Sequence, residues 1–115
     1  MKNISPKEAF DMLLRNSDAI IVDVRTPEEW TGGIPADTNL KLVTISSNLD
    51  EFERNLSNAI QDKNPPILFI CRGGTRSATA ASIGEKLGYK NCYNITGGFT
   101  EWQHSNLPSK AWSIK

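Results

Sequence analysis

The sequence contains few of the residues that bind metals or cross-link a chain. Its 115 residues include two cysteines, Cys71 and Cys92, and one histidine, His104. A structural zinc site usually takes four ligands from cysteine and histidine, so these three residues cannot form a conventional one. We therefore expect neither a bound metal nor another cofactor.

An excess of charge and long apolar runs are also lacking. The chain has 13 Lys and Arg against 13 Asp and Glu, which gives a formal net charge of zero. Broad nucleic-acid binding usually requires a basic excess, so we expect no nucleic-acid partner. No apolar run approaches the roughly 20 residues of a membrane span, and the first residues combine charge with a proline, unlike a signal peptide. We expect a cytoplasmic protein that does not associate with membranes.

The order of the local patterns predicts the fold class. The length suits a single domain over residues 1–115. Two capping boxes, which begin at Ser5 and Thr26, each place a proline at the first helical position. Further helical patterns alternate with short apolar runs such as 67–70. This alternation predicts a three-layer α/β domain, in which helices flank both faces of a mainly parallel central sheet.

Residues 67–77 carry the clearest functional pattern. A short apolar run leads into Cys71, and a loop with two glycines and two arginines precedes a helical segment. A strand, a tight glycine loop and a helix direct backbone N–H groups toward an anion, and this setting favours the reactive thiolate. Ligands of parallel α/β folds bind beyond the carboxyl ends of the strands, where Cys71 would lie. We interpret Cys71 as a nucleophile; the alternative is a buried structural cysteine before an ordinary turn.

Four segments extend this pattern over nearly the whole chain. They are Ile4-Ser-Pro6 with its helix, Ile21-Val-Asp-Val-Arg25 with Thr26-Pro-Glu-Glu-Trp30, Cys71-Arg-Gly-Gly-Thr-Arg-Ser77, and Gly97-Gly-Phe-Thr-Glu-Trp102 with Pro108. Together, and in this order, they resemble the single-domain rhodanese-like sulfurtransferases. That family usually has Gly-His-Ile-Pro-Gly-Ala after the first helical turn, whereas this chain has Gly32-Gly-Ile-Pro-Ala-Asp37 without the histidine. The position is usually structural in the family, so the departure does not exclude activity.

The resemblance implies an activity and a set of site residues. Cys71 would take a sulfane sulfur from a small anionic donor such as thiosulfate and become a persulfide. The sulfur would then pass to cyanide or to a thiol acceptor, which can be a cysteine of a partner protein. Backbone N–H groups of the loop would surround the outer sulfur, and its two arginines would attract the donor. The substrate-binding residues implied in this way are Arg72, Gly73, Gly74, Thr75 and Arg76.

Two other functions are compatible with the same fold. Related phosphatases and arsenate reductases place the loop arginine one residue later, in a wider loop that fits a tetrahedral oxyanion. Four residues separate Cys71 from Arg76 here, and the narrower loop favours sulfur transfer. A binding or regulatory module with vestigial activity is the other alternative, although many such modules lack the cysteine.

The remaining conspicuous residues are predicted to be structural. We predict that Ser77 caps the helix that follows the loop. Cys92 could be a resolving or second redox cysteine, but we predict a buried apolar residue instead. If its strand lies parallel beside that of Cys71, it sits near the opposite end, about 13 Å or more from Cys71 and beyond disulfide reach.

An acid and three tryptophans complete the predictions. Asp23, in an apolar strand, is predicted to pair with a nearby backbone group or cation. Trp30 and Trp102 are predicted to be core residues. The pattern leaves open whether Trp112 packs against the domain or stays exposed for a partner.

Overall fold

The computed structural model describes residues 1–113. Its elements, in chain order, are β1 (Lys2–Ile4), α1 (Pro6–Arg15), β2 (Ile20–Asp23), α2 (Pro27–Trp30), β3 (Ile34–Pro35), β4 (Leu40–Leu42), α3 (Leu49–Ala59), β5 (Ile67–Ile70), α4 (Thr75–Lys86), β6 (Cys92–Ile95), α5 (Gly98–His104) and β7 (Ser109–Lys110).

The central sheet has five strands in the order β1-β6-β5-β2-β4, and every neighbouring pair is parallel. The central strand β5 is an uninterrupted apolar run of four buried residues, as expected for a strand covered on both faces. β3 and β7 form a separate antiparallel pair. The predicted fold class, α/β with a mainly parallel sheet, is confirmed.

Successive residues of β5 point to opposite faces of the sheet, and all four are apolar. Helices therefore cover both faces. Ile67 and Phe69 belong to an apolar cluster with buried residues of α3 and α4. Leu68 and Ile70 belong to a second cluster with buried residues of α1 and α5. This two-sided burial fixes the position of the residue that follows β5, which is Cys71.

Both predicted capping boxes are present. In the second, the Thr26 hydroxyl accepts a hydrogen bond from the Glu29 amide at 3.4 Å, and the Glu29 carboxylate accepts one from the Thr26 amide at 3.1 Å. Their reciprocal bonds define α2, a single helical turn. Glu29 and Trp30 are thereby held at fixed positions beside the sheet.

Asp23 pairs with a cation, as predicted. The Arg25 guanidinium donates to its carboxylate, with an Nη2–Oδ2 distance of 2.8 Å, and both side chains are buried. Nη2 also donates to the Gly33 carbonyl at 2.9 Å, and the guanidinium lies 4.3 Å from the Phe99 ring centroid. Arg25 therefore links the end of β2 to the loop at Gly33, where this chain departs from the Gly-His-Ile-Pro pattern.

The tryptophans are core and near-core residues. Trp30 and Trp102 are buried, as predicted. Trp112, whose position the sequence left open, is half-buried and packs edge-on against Trp30 with ring centroids 5.3 Å apart. Within residues 1–113 no helix is long and apolar enough to cross a membrane.

Candidate active site at the carboxyl end of β5

Cys71 follows the last residue of β5 and lies under the glycine loop. Its Sγ atom accepts a hydrogen bond from the Gly74 amide at 3.0 Å and lies 3.2 Å from the Ser77 hydroxyl oxygen. The residue is 1% exposed. Two polar groups therefore converge on one buried sulfur atom.

The loop ends in a left-handed turn, and α4 begins directly after it, closer to Cys71 than the sequence predicts. Gly74 is the N-cap residue of α4 and has φ = 106°, a conformation that favours glycine. The helix consequently begins at Thr75, and the prediction that Ser77 caps it is wrong. Ser77 lies inside the helix, is fully buried, and donates a hydrogen bond to Asn94 Oδ1 at 2.6 Å.

The surroundings of the sulfur lower the pKa of Cys71 below that of an ordinary thiol. Burial by itself would raise this pKa, because it disfavours the charged form. Hydrogen bonds from the Ser77 hydroxyl and from amides of the loop and helix outweigh the burial. The geometry thus favours the thiolate, which is the nucleophilic form of cysteine.

The first turn of α5 binds two backbone carbonyl groups at the start of the loop. The Phe99 amide donates to the Cys71 carbonyl at 2.7 Å, and the Thr100 amide donates to the Arg72 carbonyl at 3.2 Å. With these carbonyls bound by α5, the loop can present amide N–H groups to the sulfur.

The two loop arginines lie in different environments. The Arg76 guanidinium forms two hydrogen bonds of 2.8 Å with the Glu29 carboxylate. Arg72 is exposed and lines a depression of about 280 Å³ together with Phe99 and Gln103. The positive charge of Arg76 is therefore largely balanced within the protein.

The Arg76–Glu29 pair predicts a loss of stability in acid. Hydrogen bonds from Arg76 lower the pKa of Glu29 from 4.5 to about 2. A depressed folded-state pKa stabilises the protein fully above about 4.5, and the contribution disappears as the pH falls toward 2. Because the Arg76 side chain is 38% exposed, we expect only about 1 kcal/mol at pH 7.

The measurement is urea unfolding of the wild type and of Glu29→Gln between pH 7 and pH 3. The difference in unfolding free energy should shrink as the pH falls. Glu28→Gln, which changes an exposed carboxylate of the same helical turn, is the matched control and should track the wild type. A Glu29→Gln difference that stays constant with pH would contradict this assignment.

Cys92 is distant from the site, as predicted. It is buried and pairs in register with Ile67, at the opposite end of β5 from Cys71. Burial and the nearby Glu85 carboxylate raise its pKa to about 11. Within the described part of the chain, no three His, Cys, Asp or Glu side chains group as a metal site would require.

The sequence patterns do not identify two polar residues that contact the site, Glu29 beside Arg76 and Asn94 beside Ser77. The sequence pattern predicts only a capping role for Glu29, although the same segment belongs to the family's first signature. Asn94 lies in β6, and the sequence pattern gives it no functional role. The available sequence signal is an asparagine between Tyr93 and Ile95, which the structure buries in the strand next to β5.

Comparison with known proteins places the chain in a family. The model of the rhodanese-like domain matches residues 5–105. The chain belongs to the rhodanese-like family.

Its relatives include named sulfurtransferases and uncharacterized proteins. It is 43% identical to an uncharacterized protein of Rickettsia conorii, over 94% of this chain and 96% of that protein. It is 34% identical to the thiosulfate sulfurtransferase GlpE of Pseudomonas entomophila, over 89% and 84%. The polysulfide-sulfur transferase of Wolinella succinogenes, solved as a homodimer, superposes with a TM-score of 0.83 at 32% identity, over 98% of this chain and 80% of that one.

Proposed function

We propose that this protein is a sulfurtransferase that carries a sulfane sulfur on Cys71 as a persulfide. The observation that carries the proposal is the convergence of the Gly74 amide and the Ser77 hydroxyl on Sγ, at the carboxyl end of the central strand. The lowered pKa of Cys71 and the named sulfurtransferases among the relatives support it. We propose a cytoplasmic location, a single functional domain and no resident cofactor, in keeping with two free cysteines.

The reaction proceeds in two displacements. In the first, the Cys71 thiolate attacks the outer sulfur of thiosulfate, an S–S bond forms, and sulfite leaves with the electron pair of the broken bond. In the second, cyanide or an acceptor thiolate attacks the outer sulfur of the persulfide, and Sγ leaves as a thiolate. Charge is conserved in both steps, and no external oxidant or reductant is needed.

The loop residues have distinct roles in this scheme. Amides of Gly73, Gly74 and Thr75 stabilise the charge on the outer sulfur of the persulfide. Arg72, which is exposed beside the depression, attracts the anionic donor. Arg76 contributes less net charge than the sequence alone suggests, because Glu29 pairs with it; its main role is to hold the first turn of α4 against α2.

Mass spectrometry after incubation with thiosulfate tests the proposal directly. We expect the intact protein to gain the mass of one sulfur atom, and we expect peptide mapping to place that atom on Cys71. Reduction with an excess of a small thiol should remove it. Absence of sulfur on Cys71 after exposure to thiosulfate and to polysulfide would reject the persulfide mechanism. Turnover of an aryl phosphate or of arsenate is not expected.

The burial of the sulfur favours a second candidate, a binding or regulatory module. Cys71 is 1% exposed and the charge of Arg76 is balanced by Glu29, and neither feature would impair a module that only binds a partner. If Cys71 takes up no sulfur from either donor, this candidate replaces the first. A natural partner would then be retained equally by the wild type and by Cys71→Ala.

A further inference from the structure

The Ser77 hydroxyl lies between two acceptors that compete for one proton. Its oxygen is 3.2 Å from Cys71 Sγ and 2.6 Å from Asn94 Oδ1. Ser77 is fully buried and Asn94 is 4% exposed. A hydroxyl group carries a single proton, so it cannot donate fully to both atoms at once. Its direction must therefore depend on which acceptor is the stronger.

The orientation of the Asn94 amide follows from its other contact. Its Nδ2 group donates to Asn3 Oδ1 at 3.0 Å, across the register pair that joins β1 to β6. The 2.6 Å distance to Ser77 is typical of O–H···O bonds and short for N–H···O bonds. The oxygen of the Asn94 amide therefore faces Ser77, and Asn3 holds it there.

We propose that Ser77 is a catalytic residue whose hydroxyl donates to Cys71 Sγ when this atom is a thiolate and to Asn94 when it is bonded in the persulfide. The inference rests on the proposed sulfur transfer. In the persulfide the outer sulfur carries the charge, so Sγ is the weaker acceptor and Ser77 turns to Asn94. Asn94 and Asn3 are positioning residues.

Reorientation of the Ser77 hydroxyl from Asn94 to Sγ assists the second displacement. As the acceptor attacks the outer sulfur, the Sγ–S bond breaks and Sγ leaves with the electron pair. The Ser77 proton stays on its oxygen but shifts its hydrogen bond to the new negative charge. A better stabilised thiolate is a faster leaving group. The Gly74 amide also donates to Sγ in the unloaded protein, but as a backbone group it cannot rotate as the Ser77 hydroxyl does.

Three variants of the full chain test this role. Ser77→Ala removes the hydroxyl, Asn94→Leu removes the competing acceptor with little change of volume, and Ser82→Ala is the matched control on the exposed side of the same helix. Each is made in a Cys92→Ala background, so that the thiolate absorbance in the ultraviolet reports on Cys71 alone. The second readout is the rate at which a persulfide-loaded sample transfers sulfur to dithiothreitol.

The expected results differ in direction between the variants. Ser77→Ala should raise the pH midpoint of thiolate formation and slow the discharge at least tenfold, the size expected for one hydrogen bond to a charged group. Asn94→Leu should lower the midpoint without slowing the discharge, because the hydroxyl then has only Sγ to bind. Ser82→Ala should match the background protein in both readouts.

The charged groups around the loop are the same in every variant, so they cannot account for differences in the titration. They are Arg72 and the ion pairs Arg76–Glu29 and Arg25–Asp23. A midpoint and a discharge rate that Ser77→Ala leaves unchanged would overturn the proposal, and so would equal upward shifts in Ser77→Ala and Asn94→Leu. Failure of the unsubstituted protein to load sulfur would instead reject the proposed function, and the titration would still decide whether Ser77 stabilises the thiolate.

Discussion

Replacement of Cys71 by serine is expected to reduce thiocyanate formation from thiosulfate and cyanide to the uncatalysed background. A serine hydroxyl remains protonated near neutral pH and forms no persulfide, so neither displacement can occur. The substitution replaces the sulfur atom of a buried side chain by oxygen and should leave the fold intact. Thiocyanate measured colorimetrically, with thermal unfolding to verify the fold, is the appropriate assay.

Cys92→Ser is the matched control for this experiment. Cys92 is also buried, but it lies at the far end of the neighbouring strand and its pKa is raised to about 11. The Cys92→Ser variant should therefore retain nearly all of the sulfur-transfer activity, with some loss of stability from a hydroxyl placed in the core. Equal losses of activity in the two variants would contradict the assignment of Cys71 as the nucleophile.

Gly98→Ala is expected to destabilise the protein by about 3 kcal/mol or more, from overpacking together with a left-handed backbone. A Cβ atom at this position would lie 2.4 Å from the Cys71 carbonyl oxygen and 2.5 Å from the backbone of Arg72. Gly98 also has φ = 57°. Because the obstructing atoms are backbone, the loop can relieve the overlap only by moving away from α5. Sulfur loading should consequently fall along with stability.

Gly73→Ala provides the comparison within the same loop. Apart from its two chain neighbours, no residue has an atom within 4 Å of a Cβ built on Gly73, and the φ of Gly73 is not positive. We expect its urea midpoint to stay near that of the wild type, while that of Gly98→Ala falls. Similar midpoints for the two variants would show that the contact between Gly98 and the loop is less restrictive than the distances indicate.

The structural elements that depend only on residues close together in the sequence could be predicted. The capping boxes at Ser5 and Thr26 form because each joins residues three apart, and the buried strand before Cys71 forms because its residues are all apolar. The position of Cys71 at the carboxyl end of a central parallel strand followed from the same patterns.

The contacts that complete the candidate site could not be predicted in this way, because they join distant parts of the chain. Arg76 pairs with Glu29, 47 residues earlier, and Asn94 bonds to Asn3, 91 residues earlier. Local composition contains no information about such pairs. The cap of α4 is Gly74, three residues before the predicted cap Ser77. A Cβ atom on Gly74 would lie 3.2 Å from the Gly97 amide nitrogen, and a contact with a residue so distant in sequence leaves no trace in the local pattern.

The opposite environments of the two cysteines make folding itself observable by chemical labelling. In an unfolded chain both thiols would react with an alkylating reagent at similar rates, since nothing distinguishes their surroundings. Folding raises the pKa of Cys92 to about 11 and lowers that of Cys71. Short alkylation pulses applied at different times of refolding therefore measure when two events occur. Protection of Cys92 reports closure of the core, and the change in Cys71 reactivity reports assembly of the loop.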